Sequence, residues 1–198
     1  MSEAPLDFAD APQSTRRVGV VIGSNRPNRN CEGITEWFLR FSGQDDAAPV
    51  FEVVDLGEID LPFLDEPMMP ALGNYQHEHT LRWSNLISSF DAFIFVFPQY
   101  NWGYPAVLKN ALDFLYAEWR DKPAGLVTYG TRGGEKGAAQ LKLVLQGLHM
   151  QLLEHHVELV ISLENVDEQG LFQDIEGTLA PFVESAQQMV TELTLALN

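Results

Sequence analysis

The feature that most constrains this sequence is a regular alternation of short apolar segments with longer segments of helical periodicity. Five apolar segments are predicted to be strands, namely residues 16–23, 49–56, 91–98, 124–130 and 156–162. Five segments carry apolar residues three and four positions apart and are predicted to be helices, namely residues 31–42, 76–89, 105–117, 135–152 and 179–197. Such alternation indicates an α/β protein with a parallel sheet and helices on both faces.

The number of predicted strands and their apolar character reduce the number of possible folds further. The segment at residues 91–98, DAFIFVFP, is apolar almost throughout, which is typical of a parallel strand covered on both faces. The chain is too short for a closed eight-strand barrel, and five strands fit an open, flavodoxin-like sheet with the strand order 2-1-3-4-5. Residues 1–14 show no periodicity and are predicted to be a disordered N-terminal tail, and residues 15–198 to be a single domain. Residues 57–75 contain three prolines and are predicted to be a long loop, of a kind that is usually functional.

Charge and cysteine content exclude several classes of function. The 198 residues carry 28 acidic and 12 basic side chains, which gives a net charge of −16. A surface this acidic repels nucleic acids and anionic membranes, although a few local arginines can still bind a small phosphorylated ligand. A single cysteine, Cys31, allows neither an intrachain disulfide nor a cysteine-based zinc site. Because the sequence begins without a secretory signal and has no apolar run long enough to span a bilayer, we expect a cytoplasmic protein.

Glycine, asparagine, arginine and aromatic residues are concentrated in three segments that directly follow predicted strands. Ligands of open parallel sheets bind at the carboxyl ends of the strands, where the strand order reverses. The first segment, GSNRPNR at residues 23–29, leads from a strand into a helix N-terminus, whose N–H groups and dipole favour phosphate. Ser24 adds a hydroxyl, and Arg26 and Arg29 add guanidinium groups that match phosphate geometry. The alternative is that both arginines are solvated and pair with surface acids.

This first segment matches neither of the common nucleotide signatures. The sequence contains no GxxxxGK[ST] loop, and no GxGxxG pattern follows the first strand. Asp55 ends the second strand, where a dinucleotide-binding domain has its ribose-binding acid. Without the glycine pattern we interpret Asp55 as a turn residue, so that the edge is predicted to bind a mononucleotide.

The second and third segments are suited to a planar ring. Aromatic residues alternate with small or polar ones in the second segment, where the aromatic positions are Tyr100, Trp102 and Tyr104. Some of these rings are expected to serve only for packing. The third segment has three glycines, Gly130, Gly133 and Gly134, whose backbone N–H groups can approach the edge of a ring closely.

Four stretches of the sequence carry a resemblance to a known family. They are GSNRPNR at residues 23–29, LPFLDEP at 61–67, FPQYNWGYPAVLKNALDFLYAEW at 97–119 and KPAGLVTYGTRGG at 122–134. In these stretches the chain resembles the NADPH-dependent FMN reductases of flavodoxin-like fold, which include quinone, azo-dye and chromate reductases. The likeness extends from about Val18 to Leu159.

The resemblance implies a set of cofactor-binding residues. The FMN phosphate is expected on the first loop, at Ser24, Arg26, Asn28 and Arg29. The isoalloxazine and ribityl side is expected at Pro98, Gln99, Tyr100, Asn101 and Trp102. The pyrimidine edge is expected at Tyr129, Gly130, Thr131, Gly133 and Gly134. The chain departs from the family pattern at Gln99, because many relatives have glutamate at the position before the Tyr-Asn pair, which is Tyr100-Asn101 here.

The resemblance also implies an activity and an assembly. A hydride passes from NADPH or NADH, through bound FMN, to a small acceptor such as a quinone, an azo dye, free flavin or a metal oxyanion. The two substrates use one site in turn, and because FMN carries the chemistry, neither a catalytic side chain nor a metal is expected. Relatives are commonly homodimers, for which the helix at residues 105–117 and Trp119 are the candidate contacts here.

Two alternative functions fit part of the sequence. A flavodoxin-type electron carrier is favoured by the acidity, because acidic carriers can dock on basic partners. The two arginines of the first loop argue against it, since flavodoxin loops resemble Thr/Ser-Gly-x-Thr without arginine. A flavin-binding regulatory module without turnover is the third interpretation.

Overall fold

The described part of the chain is built on one parallel sheet. A computed structural model describes residues 16–42 and 48–198, so the tail predicted at residues 1–14 lies outside the described residues. The strands are β1 (Arg17–Ile22), β2 (Val50–Asp55), β3 (Ala92–Pro98), β4 (Pro123–Gly130), β5 (Gln151–Leu152) and β6 (Val157–Val160). They run in the order β2-β1-β3-β4-β5, with β6 also paired to β4, which confirms the predicted order.

The last position of the sheet differs in detail from the prediction of one strand at residues 156–162. Two short strands, β5 and β6, pair with successive parts of β4. Between them the backbone N–H groups of Glu154 and His155 donate to the Glu192 carboxylate, at 2.6 and 2.9 Å. These two N–H groups are therefore bonded outside the sheet, and the strand is interrupted there.

The helices follow the predicted alternation, with shorter bounds. They are α1 (Cys31–Leu39), α2 (Leu56–Ile59), α3 (Glu78–Ser88), α4 (Ala106–Asp113), α5 (Glu135–Gly147), α6 (Ile175–Leu179) and α7 (Val183–Ala196). The helix predicted over residues 135–152 stops at Gly147, because His149 adopts a positive φ of 59° and Gln151 joins the sheet. The helix predicted over residues 179–197 begins only at Val183, after a 3-10 turn that contains Pro181.

Each face of the sheet carries its own apolar layer. On one face α1 and α7 pack against alternate residues of the central strands, such as Val20 and Ile94. On the other face α3, α4 and α5 pack against the residues between them, such as Val21 and Phe95. Side chains of successive strand residues point to opposite faces, so that a strand covered on both must be apolar throughout.

Trp119 belongs to this second layer and not to the surface. Its side chain is 1% exposed, and its ring centroid lies 5.0 Å from that of Phe93 and 6.2 Å from that of Trp83. The expectation that Trp119 contacts a partner subunit is therefore wrong. Aromatic residues near the end of a helix can lie in the core or at an interface, and the sequence pattern does not distinguish the two.

The long loop predicted at residues 57–75 is largely irregular, as expected, apart from α2 and a 3-10 turn at Pro70–Leu72. It is anchored by side chains. Asn110 donates to the Pro62 carbonyl at 2.7 Å and accepts from the Leu64 N–H at 3.0 Å.

None of the helices in residues 16–42 and 48–198 combines the length and the apolar character that crossing a bilayer requires.

Candidate functional site

The fold brings the three predicted site segments to one edge of the sheet. β1, β3 and β4 are neighbours and parallel, so the loops that follow them emerge side by side. The Ser24 hydroxyl lies 3.0 Å from the Tyr100 hydroxyl, which joins the first loop to the second. The Gln99 N–H donates to the Tyr129 carbonyl at 2.9 Å, which joins the second loop to the end of β4. The segments at residues 23–29, 98–105 and 129–134 thus form one continuous surface.

The N-terminus of α1 is open to a ligand. Among the described residues no side chain caps this helix, although Asn30 stands at the capping position. The Asn30 side chain instead donates to the Gly170 carbonyl at 2.8 Å and accepts from the Phe172 N–H at 3.3 Å. The first N–H groups of α1 therefore lack a side-chain acceptor, which is the arrangement that binds anions at helix N-termini.

The β1 loop places a buried hydroxyl and two arginines beside this helix end. Ser24 is fully buried, and its Oγ accepts from the Arg26 N–H at 3.4 Å. The Arg26 side chain is exposed, and no carboxylate in the described part of the chain pairs with it. Arg29 is paired with both Asp55 and Glu32. Burial opposes the charged form of Arg29, but Glu32 and Asp55 outweigh it and raise the pKa of that guanidinium. Asn28 is exposed in the same loop.

The turn after β3 is held in an unusual backbone conformation. Tyr100 and Gly103 exchange two backbone hydrogen bonds, of 2.9 and 2.8 Å, and the residues between them have positive φ values. These are Asn101 at 47° and Trp102 at 70°. A bulky residue at positive φ is strained by about 1–3 kcal/mol and persists where its surroundings fix it. Here Gln140 of α5 donates to the Trp102 carbonyl at 3.1 Å, while the indole remains 65% exposed at the site edge.

Gln99 connects the second loop to the N-terminus of α5. Its Oε1 accepts from the backbone N–H groups of Lys136 and Gly137, at 2.9 and 3.0 Å. Two N–H groups in the first turn of α5 thus already have a side-chain acceptor within the protein, whereas the first N–H groups of α1 have none among the described residues. Of these two helix ends at the edge of the sheet, α1 is the one with N–H groups available for a phosphate. Pro98, the last residue of β3, is buried.

The loop after β4 is a tight turn in which Gly133 and Gly134 are buried and the Gly133 N–H donates to the Gly130 carbonyl at 3.1 Å. Gly133 and Gly134 have φ values of 76° and 88°, and a Cβ at Gly134 would lie 2.8 Å from Thr128. The Gly133 carbonyl accepts from the Thr128 hydroxyl at 2.6 Å, which fixes the loop. Gly130 is half-buried and Thr131 is exposed. Glycine is required at Gly134, because a side chain would be strained and would collide with β4.

The Tyr129 side chain lies in the core beneath the site. Its hydroxyl is 3.2 Å from the Cys31 sulfur, and both residues are buried. Burial raises the pKa of the Cys31 thiol to about 12 and also raises the pKa of Tyr129. Cys31 is therefore not a reactive thiolate at neutral pH, and the Tyr129 side chain points away from the surface of the three loops.

Sequence reasoning missed three residues that shape this site, namely Asn30, Gly57 and Gln140, and it interpreted Asp55 as a turn residue without its ion pair to Arg29. Asp55 caps α2 and pairs with Arg29, and Gly57 leaves room for that pair. Their partners are distant in sequence, so no local pattern reveals them. The arrangement suits a planar ring with a phosphate tail, because an uncapped helix end lies beside aromatic and glycine loops.

Comparison with known proteins agrees with this chemistry. The sequence profile of a family described as NADPH-dependent FMN reductase matches residues 16–162. The chain is 38% identical over 177 residues, 88% of this chain and 84% of the relative, to "NAD(P)H-dependent FMN reductase C4B3.06c" of Schizosaccharomyces pombe. It is 42% identical over 147 residues, 69% of this chain and 77% of the relative, to "NAD(P)H-dependent FMN reductase LOT6" of Saccharomyces cerevisiae.

A solved structure shares the fold. FerB of Paracoccus denitrificans, described as a flavoenzyme NAD(P)H:(acceptor) oxidoreductase, superposes with a TM-score of 0.69 at 22% identity. The match covers 92% of this chain and 97% of FerB.

Proposed function

The chain belongs to the NADPH-dependent FMN reductase family, and from this membership we propose that it passes a hydride from NAD(P)H, through bound FMN, to a quinone or a similar small acceptor. The protein is an oxidoreductase that uses FMN and NAD(P)H. The family leaves the acceptor open. The observation that best supports this proposal is the uncapped N-terminus of α1, together with Arg26, whose side chain pairs with no carboxylate in residues 16–42 and 48–198.

The phosphate of the cofactor is assigned to the β1 loop. Ser24, Arg26, Asn28 and Arg29 contribute to this loop, together with the first N–H groups of α1. Because the chain has a net charge of −16, a dianionic phosphate needs such a local group of donors to overcome the surrounding acids.

The ring of the cofactor is assigned to the two other loops. When bound, FMN supplies the hydride chemistry, while the protein binds, orients and tunes it. One side of the ring site consists of Pro98, Gln99, Tyr100, Asn101 and Trp102. The other side is the turn at Tyr129, Gly130, Thr131, Gly133 and Gly134, in which the Gly133 N–H already donates to the Gly130 carbonyl at 3.1 Å and, of these residues, only Thr131 is exposed.

A single shared site for donor and acceptor follows from this assignment. Hydride transfer needs the nicotinamide stacked on the ring with reacting atoms about 3–3.5 Å apart. A quinone needs the same stacking to collect its electrons, so the two substrates exclude each other.

Two measurements test the proposed function. Anaerobic addition of NADPH to the FMN-loaded protein is expected to bleach the flavin absorbance rapidly, and a quinone added after removal of NADP⁺ is expected to restore it. Initial rates at several fixed quinone concentrations are expected to give parallel double-reciprocal lines. Tight FMN binding without bleaching would favour an electron carrier or a regulatory module. Intersecting lines would show that donor and acceptor bind at separate sites.

We propose in addition that the protein is a homodimer, with the apolar face of the α2–α3 loop as the contact. Six large apolar side chains are exposed here, one at the end of α2 and five in the loop that follows it, and the most exposed is Phe63 at 86%. They are Ile59, Phe63, Leu64, Met68, Met69 and Leu72. The Asn110 hydrogen bonds fix the backbone of the loop at Pro62 and Leu64, on either side of Phe63. Two copies of net charge −16 repel each other, so the contact must come from apolar burial.

Light scattering at micromolar concentration is expected to give the mass of a dimer. The double variant Phe63→Ser/Met69→Ser is expected to be a monomer, because it removes the two most exposed apolar side chains of the contact. Leu195→Ser is the matched control, since Leu195 is 70% exposed but lies on α7. A monomeric wild type, or a control that dissociates while the double variant does not, would contradict this interface.

A further inference from the structure

Four of the five N–H groups of the Arg29 guanidinium donate to acceptors in the described part of the chain. Its side chain is 12% exposed, and Nη1 donates to the Ser24 carbonyl at 2.6 Å. Nη2 donates to Asp55 Oδ2 at 2.6 Å, and Nε donates to Glu32 Oε1 at 3.0 Å. Each of the three guanidinium nitrogens therefore already has a protein acceptor before any ligand arrives. The arrangement links the end of β2, the β1 loop and the first turn of α1.

The backbone around Arg29 is built to hold the guanidinium in this position. Asp55 is 10% exposed, and its second oxygen accepts from the Gly57 N–H at 2.8 Å. A Cβ on Gly57 would lie 2.4 Å from Arg29 Nη1. Glycine at position 57 is therefore what allows the guanidinium to reach both Asp55 and the Ser24 carbonyl.

The two carboxylates beside Arg29 also make it unsuitable as a ligand for a bound anion. Asp55 and Glu32 together carry two negative charges against the single positive charge of Arg29. A phosphate that drew Arg29 away would leave the largely buried Asp55 carboxylate without its cation, which is costly. Arg26 can bind a phosphate without leaving a carboxylate unpaired, because no described carboxylate pairs with it and its side chain is exposed.

We infer that Arg29 is a positioning residue that fixes the Ser24 carbonyl and the β1 loop, and that Arg26 is the arginine that contacts the cofactor phosphate. Arg29 acts through Ser24, whose hydroxyl faces Tyr100 and the Arg26 N–H. It also neutralises Asp55 beside the phosphate site. This inference rests on the proposed FMN binding. It gives different roles to two arginines that the sequence analysis assigned to the phosphate together.

The direct test is NMR of the wild-type apoprotein labelled with ¹⁵N-arginine. The Nε–H signals of the two residues are assigned with the variants Arg26→Lys and Arg29→Lys. The Arg29 signal is expected to be protected from exchange before FMN is added and to change little afterwards. The Arg26 signal is expected to shift and become protected with FMN, and to stay unchanged with riboflavin, which lacks the phosphate.

The outcomes of this experiment separate the inference from the proposed function. A large shift of the Arg29 signal with FMN, but not with riboflavin, would make Arg29 a phosphate ligand and overturn the inference alone. If FMN does not bind and neither signal moves, the proposed function fails and the inference fails with it.

A charge-neutral variant gives a second, independent test. Gly57→Ala is expected to move the flexible guanidinium away from Asp55 and Ser24 without removing a charge. FMN affinity is then expected to fall about tenfold, through loss of loop order, while riboflavin affinity stays unchanged. Gly147→Ala is the matched control, because a Cβ there meets nothing within 4 Å. Tighter FMN binding in Gly57→Ala would show that the released Arg29 serves the phosphate directly, and unchanged binding would show that the position of Arg29 does not affect the cofactor; either result contradicts the inference.

Discussion

Replacing Arg26 by alanine is expected to weaken FMN binding about ten- to a hundredfold. A hydrogen bond between charged groups contributes roughly 1.5–3 kcal/mol, and each 1.4 kcal/mol corresponds to about a factor of ten in affinity. Arg26 is exposed beside the uncapped end of α1, and no carboxylate in residues 16–42 or 48–198 pairs with its side chain. The loss is expected to be larger at low salt, because ions screen an exposed charge.

Fluorescence titration of the apoprotein with FMN measures this effect. Riboflavin should bind wild type and Arg26→Ala equally, since only the phosphate contact is removed. Arg82→Ala is a control for net charge, because Arg82 is an exposed arginine on α3. If Arg26→Ala binds FMN as tightly as wild type does, the assignment of the phosphate to this loop is wrong.

Replacing Trp119 by alanine is expected to lower the free energy of unfolding by about 3–5 kcal/mol, as is usual for large aromatic residues in cores. The indole is 1% exposed and packs against Trp83, Phe93 and Phe95. Truncation therefore leaves a cavity among rings that cannot all move to fill it. Such a loss is a large part of the stability of a typical domain.

Urea denaturation of Trp119→Ala and of Trp102→Ala measures the contrast between a buried and an exposed tryptophan. Trp102 is 65% exposed, so its truncation should change the free energy of unfolding by no more than about 0.5 kcal/mol. Both variants lose the same side chain, which makes the pair a matched comparison. Equal stability of Trp119→Ala and wild type, with loss of dimerisation, would instead place Trp119 at an interface.

The sequence by itself determined the architecture and the edge of the sheet at which the three unusual segments meet. Apolar segments alternating with helical ones require a parallel sheet, and the carboxyl ends of its strands lie at one edge. The unusual residues at 23–29, 98–105 and 129–134 had to meet there, and they do. These conclusions were accessible because periodicity and loop composition are local properties of the chain.

The tertiary structure alone decided the roles of residues whose partners are distant in sequence. Arg26 and Arg29 are identical in type and three positions apart, yet only Arg29 meets Asp55, which lies 26 residues further along the chain. Gln99 caps a helix that begins beyond β4, and Trp119 is buried by α3 and β3. In each case the role follows from which charge, donor or ring the fold brings within contact distance. Sequence spacing does not contain that information, because the contacts form only when the sheet and both helical layers are assembled.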